Sequence, residues 1–128
     1  MRVLLDSHAL IWALGDDPAL GRQARDVLAD QEVEKLVSGA SAMEIMIKYR
    51  KGRLPQAEAL ARDFKGVLGQ LDCVPLAISF DHSLLAGALD IPHKDPFDRL
   101  LIAQARVERV PIVSNETLFD AFGVERIW

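Results

Sequence analysis

The sequence predicts an α/β fold in which a parallel sheet of four to five short strands lies between layers of helices. Two observations predict it. Short apolar segments of four to six residues alternate along the chain with longer segments that show helical spacing. The short segments are apolar throughout rather than alternating with polar residues, which is typical of strands covered on both faces. The 128 residues suit a single domain spanning 1–128, organised as a three-layer sandwich.

The predicted strands follow from runs of branched and other apolar residues bounded by turn residues. The first four cover Arg2–Asp6, Lys35–Ser38, Cys73–Ile78 and Pro111–Ser114, and a short fifth covers Val124–Trp128. In open parallel sheets, ligands bind beyond the carboxyl ends of the strands. The residues just after each strand are therefore where function is expected.

The predicted helices occupy the intervals between these strands, and several have recognisable ends. They cover Ser7–Leu14, residues 18–30 with Pro18 in the first turn, 42–51, 56–71, a short helix beginning after Ser79, and a helix from Asp95-Pro96 to about Glu108. For the helix over 42–51, Ser41 is the predicted N-cap and Gly52 the residue that ends it.

Composition limits the classes of protein to consider. The single cysteine, Cys73, excludes an internal disulfide, and its apolar surroundings indicate a buried, inert thiol. No apolar run approaches the roughly 20 residues of a membrane span. Asp6 interrupts the apolar N-terminus, which also lacks a small-residue cleavage site, so this segment is not interpreted as a signal peptide. We therefore expect a cytoplasmic protein.

The net charge of −4 is not typical of a general nucleic-acid binder. The densest basic segment, residues 48–53, is also explained as a solvated helix end. A negative net charge is nevertheless compatible with an enzyme that holds acids in one pocket and cations on the rim of that pocket.

Carboxylates recur at the predicted carboxyl edge of the sheet. They are Asp6, Glu44, Asp95, Asp98 and Glu116. Carboxylates held close together raise one another's pKa, and a divalent cation removes that cost. Oxygen ligands without thiolates select Mg²⁺ or Mn²⁺ over zinc. The spacing thus favours a metal site, where an ion can clamp a phosphate and activate water, but it identifies no particular reaction.

Each acid also has a structural interpretation, which stays open at this point. Ser41 and Glu44 fit a capping box, Asp95 fits an N-cap with Asp98 in the first turn, and Glu116 fits an ordinary first-turn acid. Asp6 is the hardest to explain in this way, because apolar segments flank it on both sides.

Other polar and aromatic residues are candidates for supporting or structural roles. Ser7 and Ser114 are candidates to bond carboxylates or water, and Lys48 and Arg99 to meet phosphates at the rim. The three histidines, His8, His82 and His93, lack zinc spacing and are interpreted as structural. Aromatic residues are interpreted as core or interface, with Trp12 a candidate for a homodimer face.

Four segments together resemble the PIN-domain family, and most closely the VapC-type toxins of prokaryotic toxin–antitoxin pairs. They are VLLDSHALIWAL, SAMEIMIKYRKGRL, IPHKDPFDRLLIAQA and IVSNETLFDAFGVERIW, which span the chain in order. The resemblance implies a PIN-like fold and a Mg²⁺- or Mn²⁺-dependent endoribonuclease. It also implies a homodimer, or a hetero-oligomer with a VapB-type antitoxin that inhibits the enzyme.

The resemblance also implies residue roles. Asp6, Glu44 and Asp98 match the family's first three acids, and Asp95 belongs to the subgroup's H-x-D-P-F-D-R pattern as a supporting acid. The fourth acid is usually Asp in a T-x-D pattern, whereas this chain has Ser114-Asn115-Glu116. The implied metal ligands are Asp6, Asp98 and Glu116, with Glu44 completing the site or orienting water. The substitution by Glu puts a second metal position in question.

Two other functions are compatible with the pattern. An aspartyl phosphotransferase or receiver-like domain also places Asp after a parallel strand, but His8 and Ser7 stand where further acids are required, and no Lys follows the fourth strand. A PIN-like binding module without catalysis is the second alternative, and the departure at Glu116 is its main support.

Overall fold

The computed structural model describes residues 1–128 and contains one parallel five-stranded sheet. The strands are β1 (Arg2–Leu5), β2 (Glu34–Ser38), β3 (Cys73–Leu76), β4 (Ile112–Val113) and β5 (Arg126–Ile127). Their spatial order is β3-β2-β1-β4-β5, and every neighbouring pair is parallel. The predicted α/β class, the parallel sheet and the fifth strand are confirmed.

Seven α-helices cover the sheet. They are α1 (Ser7–Leu14), α2 (Arg22–Ala29), α3 (Gly39–Arg50), α4 (Glu58–Arg62), α5 (Phe64–Gln70), α6 (Phe80–Ala88) and α7 (Pro96–Glu108). Two short 3₁₀ turns occupy Pro55–Ala57 and Thr117–Ala121. None of the helices has the length and apolar character that crossing a membrane requires.

The central strand β1 shows why the strands are apolar at every position. Successive side chains of a strand point to opposite faces. Val3 and Leu5 join the larger of two buried clusters, whereas Leu4 joins the smaller one, and all three are fully buried. The sheet is therefore covered on both faces, and β1 has a hydrogen-bonded neighbour on each side.

The predicted helix over 18–30 is shorter than the pattern indicates, because it begins only at Arg22. Residues 17–20, just before α2, form a turn. The side chain of Asp17 accepts a hydrogen bond from Ala19 N at 2.8 Å, and its carbonyl accepts one from Leu20 N at 3.1 Å. Pro18 thus lies in this turn and not in the first turn of α2, a correction that reflects the tendency of Asp to form local turns.

The prediction that Ser41 caps the third helix is also wrong. Ser38 is the N-cap, and its hydroxyl accepts from Ala40 N at 2.9 Å. Ser41 is buried inside α3, and its hydroxyl has no hydrogen-bond partner. Glu44 therefore lies in the second turn and does not form a capping box. Gly52 follows the C-cap with a φ of +73°, as predicted for the residue that ends this helix.

The predicted helix over 56–71 is divided into a 3₁₀ turn, α4 and α5. Asp63 separates the two helices with an extended φ of −154°, and its side chain caps α5 by accepting from Gly66 N at 3.1 Å. The predicted strand over 73–78 ends earlier, at Leu76. Ser79 caps α6, and Asp95 caps α7, both as predicted.

Candidate active site

The five predicted acids converge on one cleft at the carboxyl edge of the sheet. The cleft has a volume of about 180 Å³. Its lining residues are Asp6, Ser7, His8, Glu44, Lys48, Asp95, Asp98, Leu101, Glu116 and Leu118. Larger concavities exist on the surface, but this is the one into which all five carboxylates project.

Asp6 lies at the centre of this edge, directly after β1, and is the N-cap of α1. Its carboxylate accepts from Ala9 N at 2.7 Å and from the hydroxyl of Ser114, which follows β4. The residue is only 5% exposed. Burial raises the pKa of this carboxyl, the nearby Glu116 raises it further, and the hydrogen bonds oppose the increase. A buried carboxylate that is held by hydrogen bonds in this way favours a cation beside it.

Glu44 enters the cleft from α3. Ser7 donates its hydroxyl to Glu44 Oε1, and Lys48 Nζ lies 3.3 Å from Oε2. The Lys48 contact joins residues four apart on one helix face, as the spacing predicts. Ser7 therefore supports Glu44 rather than Asp6, and Lys48 lies in the cleft wall.

Asp95 and Asp98 enter from the start of α7. Asp95 Oδ1 accepts from Phe97 N at 2.8 Å and from Asp98 N at 3.2 Å, so this side chain is the N-cap. Asp98 Oδ2 lies 2.7 Å from His93 Nε2. Burial raises the pKa of Asp98, and the charges of Asp95 and Glu44 add to the increase, whereas the bond to His93 opposes it.

Glu116 is the exposed member of the group. Ser114 Oγ links it to Asp6, because this hydroxyl donates to Asp6 and accepts from Glu116 N at 2.9 Å. The Glu116 side chain forms no capping bond to the 3₁₀ turn that follows it. Its carboxylate is thus free of the role that the first-turn interpretation assigns.

Two residues behave differently from the sequence interpretation. Arg99 bonds the backbone carbonyls of five residues, namely Ala86, Gly87, Leu89, Ile91 and His93, at 2.6 to 3.5 Å. Its guanidinium is therefore occupied, which is not the free rim position predicted for it. His93, interpreted as structural, contacts Asp98 instead. Its place five residues before Asp98 in HKDPFD was the available signal.

The remaining predicted structural residues lie in packed surroundings. His82 is buried and bonds Glu108 at 3.1 Å between its Nε2 and Oε2. Trp12 packs between His8 and Trp128, with ring centroids 5.3 and 5.6 Å away. Its indole is partly buried against the larger core cluster.

The donor set fits a hard divalent cation that keeps part of its water. No three His, Cys, Asp or Glu side chains are close enough to hold an ion directly. Asp6, Glu44 and Asp98 each accept bonds from protein donors instead. Mg²⁺ typically binds through one or two carboxylates and several waters, and the burial that raises the pKa of Asp6 and of Asp98, together with the neighbouring acids, favours a cation beside them.

Comparison with known proteins supports a family assignment. The family model of the PIN domain matches residues 3–125. No curated protein matches the chain.

Several solved structures share the fold. A chain of the Rickettsia felis VapBC2 complex, solved with a DNA fragment from their promoter, has 15% identity, a TM-score of 0.71 and full coverage of both chains. Mycobacterium tuberculosis VapC20, described as a toxin that cleaves the sarcin–ricin loop, has 15% identity, a TM-score of 0.65 and 95% coverage of each chain.

A chain of DNA-bound VapBC from Salmonella typhimurium has 16% identity and a TM-score of 0.66, covering 98% of this chain and 96% of its own. At such identities the likeness establishes the fold, and the match to the family model covers nearly the whole chain. This protein belongs to the PIN-domain family.

Proposed function

We propose that this protein is a Mg²⁺- or Mn²⁺-dependent endoribonuclease, and the toxin of a type II toxin–antitoxin pair. The observation that carries the proposal is the convergence of Asp6, Glu44, Asp98 and Glu116, with Asp95, in one cleft. Family membership supports nuclease chemistry, and the carboxylates supply the oxygen donors that such chemistry needs.

In this proposal Asp6, Asp98 and Glu116 hold the metal, directly or through water. When bound, the ion polarises the scissile phosphate and makes water a better nucleophile near neutral pH. Asp6 and Asp98 are fixed by helix starts and by the hydroxyl of Ser114, so both carboxylates are held in the cleft before the ion binds. Glu116 reaches from the exposed side of the cleft.

Glu44 completes the proposed site by orienting the attacking water. Ser7 and Lys48 position its carboxylate, and these two bonds would keep the Glu44 side chain in one rotamer during turnover. Lys48 also offers a positive charge to a phosphate oxygen of the substrate. No side-chain nucleophile is required, and hydrolysis would leave a 5′-phosphate and a 3′-hydroxyl.

The decisive experiment measures cleavage of purified transfer and ribosomal RNA with and without Mn²⁺, for wild type and Asp98→Asn. We expect metal-dependent cleavage by wild type and a loss of at least about a hundredfold in the variant, because a charge that holds the ion is removed. Asp26→Asn is the matched control, since Asp26 is an exposed acid on α2 outside the cleft.

Mapping of the RNA ends identifies the cut sites, and identical cutting by Asp98→Asn and wild type would overturn the assignment. Metal-induced stabilisation without any RNA cleavage would favour the alternative of a PIN-like binding module. The identity of the RNA would follow from the same mapped ends.

We also propose a VapB-type antitoxin as partner, within a cytoplasmic dimer or hetero-oligomer. Support comes from the structural neighbours, two of which are chains from VapBC complexes. A cation of the partner inserted among the cleft carboxylates would be electrostatically complementary. Co-expression with a candidate VapB-type antitoxin should give a complex in which metal-dependent cleavage is suppressed, and undiminished cleavage by that complex would contradict the proposal.

A further inference from the structure

A group of four cations lies at the end of α3, beginning at the cleft. Residues 45–57 contain Lys48, Arg50, Lys51 and Arg53 and no Asp or Glu, although the chain as a whole carries a net charge of −4. We call these four residues the basic ridge. It concentrates 4 of the 15 Lys and Arg side chains in six consecutive positions.

The ridge begins inside the cleft wall. Lys48 lines the cleft and contacts Glu44. Lys51 follows on the same helix face, since positions 44, 48 and 51 are spaced by four and three residues. From Glu44 to Lys51 the helix rises by about 10 Å. After Gly52, whose φ is +73°, the backbone of Arg53 turns back and donates to Lys48 O at 3.0 Å.

The outer cations of the ridge are free, unlike several others in the protein. Arg2, Arg25, Arg62 and Arg126 form ion pairs with acids, and Arg99 bonds carbonyls. Arg50, Lys51 and Arg53 are exposed and form neither a hydrogen bond nor an ion pair through their side chains. Cations near a helix C-terminus are stabilised by the helix dipole, but this effect falls off within the last turn and Arg53 lies beyond it.

The chemistry of the cleft creates a need for such a surface. Five carboxylates line it, and only a part of their charge is offset by one divalent ion. A polyanionic substrate is therefore repelled on approach unless cations beside the cleft attract it. The ridge supplies positive charge beside the mouth, with Lys48 in the cleft wall and Lys51 on the same helix face, whereas Arg50 and Arg53 extend the positive charge around the end of α3.

We propose that the basic ridge binds the phosphodiester backbone of RNA next to the scissile phosphate. The inference rests on the proposed ribonuclease function and adds the path of the substrate. Recognition through phosphates does not depend on sequence, so the ridge supplies affinity while base contacts elsewhere select the site. Single-stranded segments are the expected ligand, because their backbone can follow a short convex helix end.

The test compares two triple variants of equal net charge. The ridge variant carries Arg50→Gln, Lys51→Gln and Arg53→Gln. The control carries Arg22→Gln, Lys65→Gln and Arg106→Gln, which are exposed, unpaired cations that do not line the cleft. Anisotropy of a short fluorescein-labelled single-stranded RNA measures Kd across a salt series, with Asp6→Asn added to each protein to prevent cleavage. Cleavage kinetics are measured separately without Asp6→Asn.

We expect the ridge variant to raise Kd and KM at least roughly tenfold and to leave kcat within about twofold, because phosphate contacts act in binding. The slope of log Kd against log salt concentration should become shallower by about 2, because each of the three lost phosphate contacts contributes about 0.7 to the slope. The control should behave like the parent. A ridge variant with unchanged Kd and salt slope, or one that differs no more than the control, would overturn the proposal.

The binding measurement does not depend on catalysis. Failure of the ribonuclease assignment would appear as absence of metal-dependent cleavage in wild type, whereas failure of the ridge assignment would appear as unchanged RNA binding in an active enzyme. A ridge that instead served a protein partner would give this second result. Circular dichroism of both triple variants checks that they fold alike.

Discussion

Asp6 illustrates how the metal-holding role that we propose for a residue opposes the stability of the fold. Its carboxylate is buried after the central strand, and burial raises its pKa from the ordinary value of 3.8. The folded state therefore binds the proton more tightly than the unfolded chain does. A group with a raised folded-state pKa contributes most to stability at low pH, and this contribution is lost as the pH rises through the folded-state pKa.

We predict that Asp6→Asn raises the Tm of the metal-free protein at neutral pH. The amide keeps the N-cap bond to Ala9 N but carries no buried charge. The advantage over wild type should shrink as the pH falls through the pKa of Asp6, because the wild-type carboxyl then becomes neutral. Thermal unfolding over a pH series in the presence of a chelator measures this.

Mn²⁺ provides the second half of the same test. Wild type should gain about 2.7 kcal/mol at a Mn²⁺ concentration a hundredfold above Kd, and Asp6→Asn should lose most of this gain. Asp26→Asn is the control and should respond to Mn²⁺ as wild type does. A metal-free Asp6→Asn protein that melts below wild type at neutral pH would contradict the electrostatic account.

The sequence predicted which acids reach the cleft, but not how each is held. Strand ends and helix starts follow from local patterns, so the five carboxylates were predictable. Ser7 bonding Glu44, and His93 bonding Asp98, depend on side-chain rotamers and on the path of the chain between α6 and α7. That path is fixed by the bonds of Arg99 to backbone carbonyls, which no spacing in the sequence encodes.

At the level of elements, one error lies at a helix start where two capping residues compete. Ser38 and Ser41 both precede apolar helical spacing, and the Ser41–Glu44 pair has the stronger capping-box pattern. The structure uses Ser38 because β2 ends there and its pairing with β3 fixes the position of the turn. Strand pairing is a long-range constraint, which explains why the local pattern failed.

Gly21 carries the clearest steric constraint on an element. A Cβ at this position would lie 2.5 Å from the carbonyl carbon of Trp128 and 2.6 Å from its indole Cδ1. The start of α2 and the C-terminal segment therefore pack so closely that no larger residue fits without a shift of the backbone.

We predict that Gly21→Ala destabilises the protein by about 1–3 kcal/mol, as expected for overpacking. Gly87→Ala is the matched control, because its Cβ would meet nothing within 4 Å in the last turn of α6. There the gain in helix propensity should stabilise by at most about 0.5–1 kcal/mol. Urea unfolding of both variants measures the difference, and equal stabilities would refute the close packing of Gly21.

For the whole molecule, the class of fold followed from periodicity but the strand order did not. Alternating strands and helices, apolar at every strand position, are sufficient to predict a parallel sheet covered on both faces. The order β3-β2-β1-β4-β5 depends on which side of the growing sheet each new strand joins. Strand β4 has only two residues, so its place beside β1 is determined by tertiary packing rather than by its own sequence.

Cys73 offers a probe of how the whole molecule opens. It lies in the edge strand β3 but is buried, and burial raises the pKa of its thiol to about 11 from the ordinary value of 9.0. The thiolate fraction near pH 8 is thus about a hundredfold lower than in an exposed cysteine. We predict that disulfide-exchange reagents modify it much more slowly in the folded protein than in urea.

Comparison of the modification rate with global unfolding shows which motion exposes the thiol. The rate should increase with urea in parallel with unfolding if the edge strand opens only with the rest of the sheet. Rapid modification under native conditions would show that β3 detaches on its own, or that the thiol is not protected. Blocked protein, alkylated in urea before refolding, is the control for reagent consumption.

The strand order has a consequence for biosynthesis. The pairing of β4 with β1 joins distant parts of the chain and brings Ser114 and Glu116 beside Asp6. The Ser114–Asp6 bond joins residues 108 positions apart. A chain still emerging from the ribosome holds its first acid long before the last one is translated. The cleft therefore cannot assemble until the segment that carries Ser114 and Glu116 has been translated, well after the segment that carries Asp6.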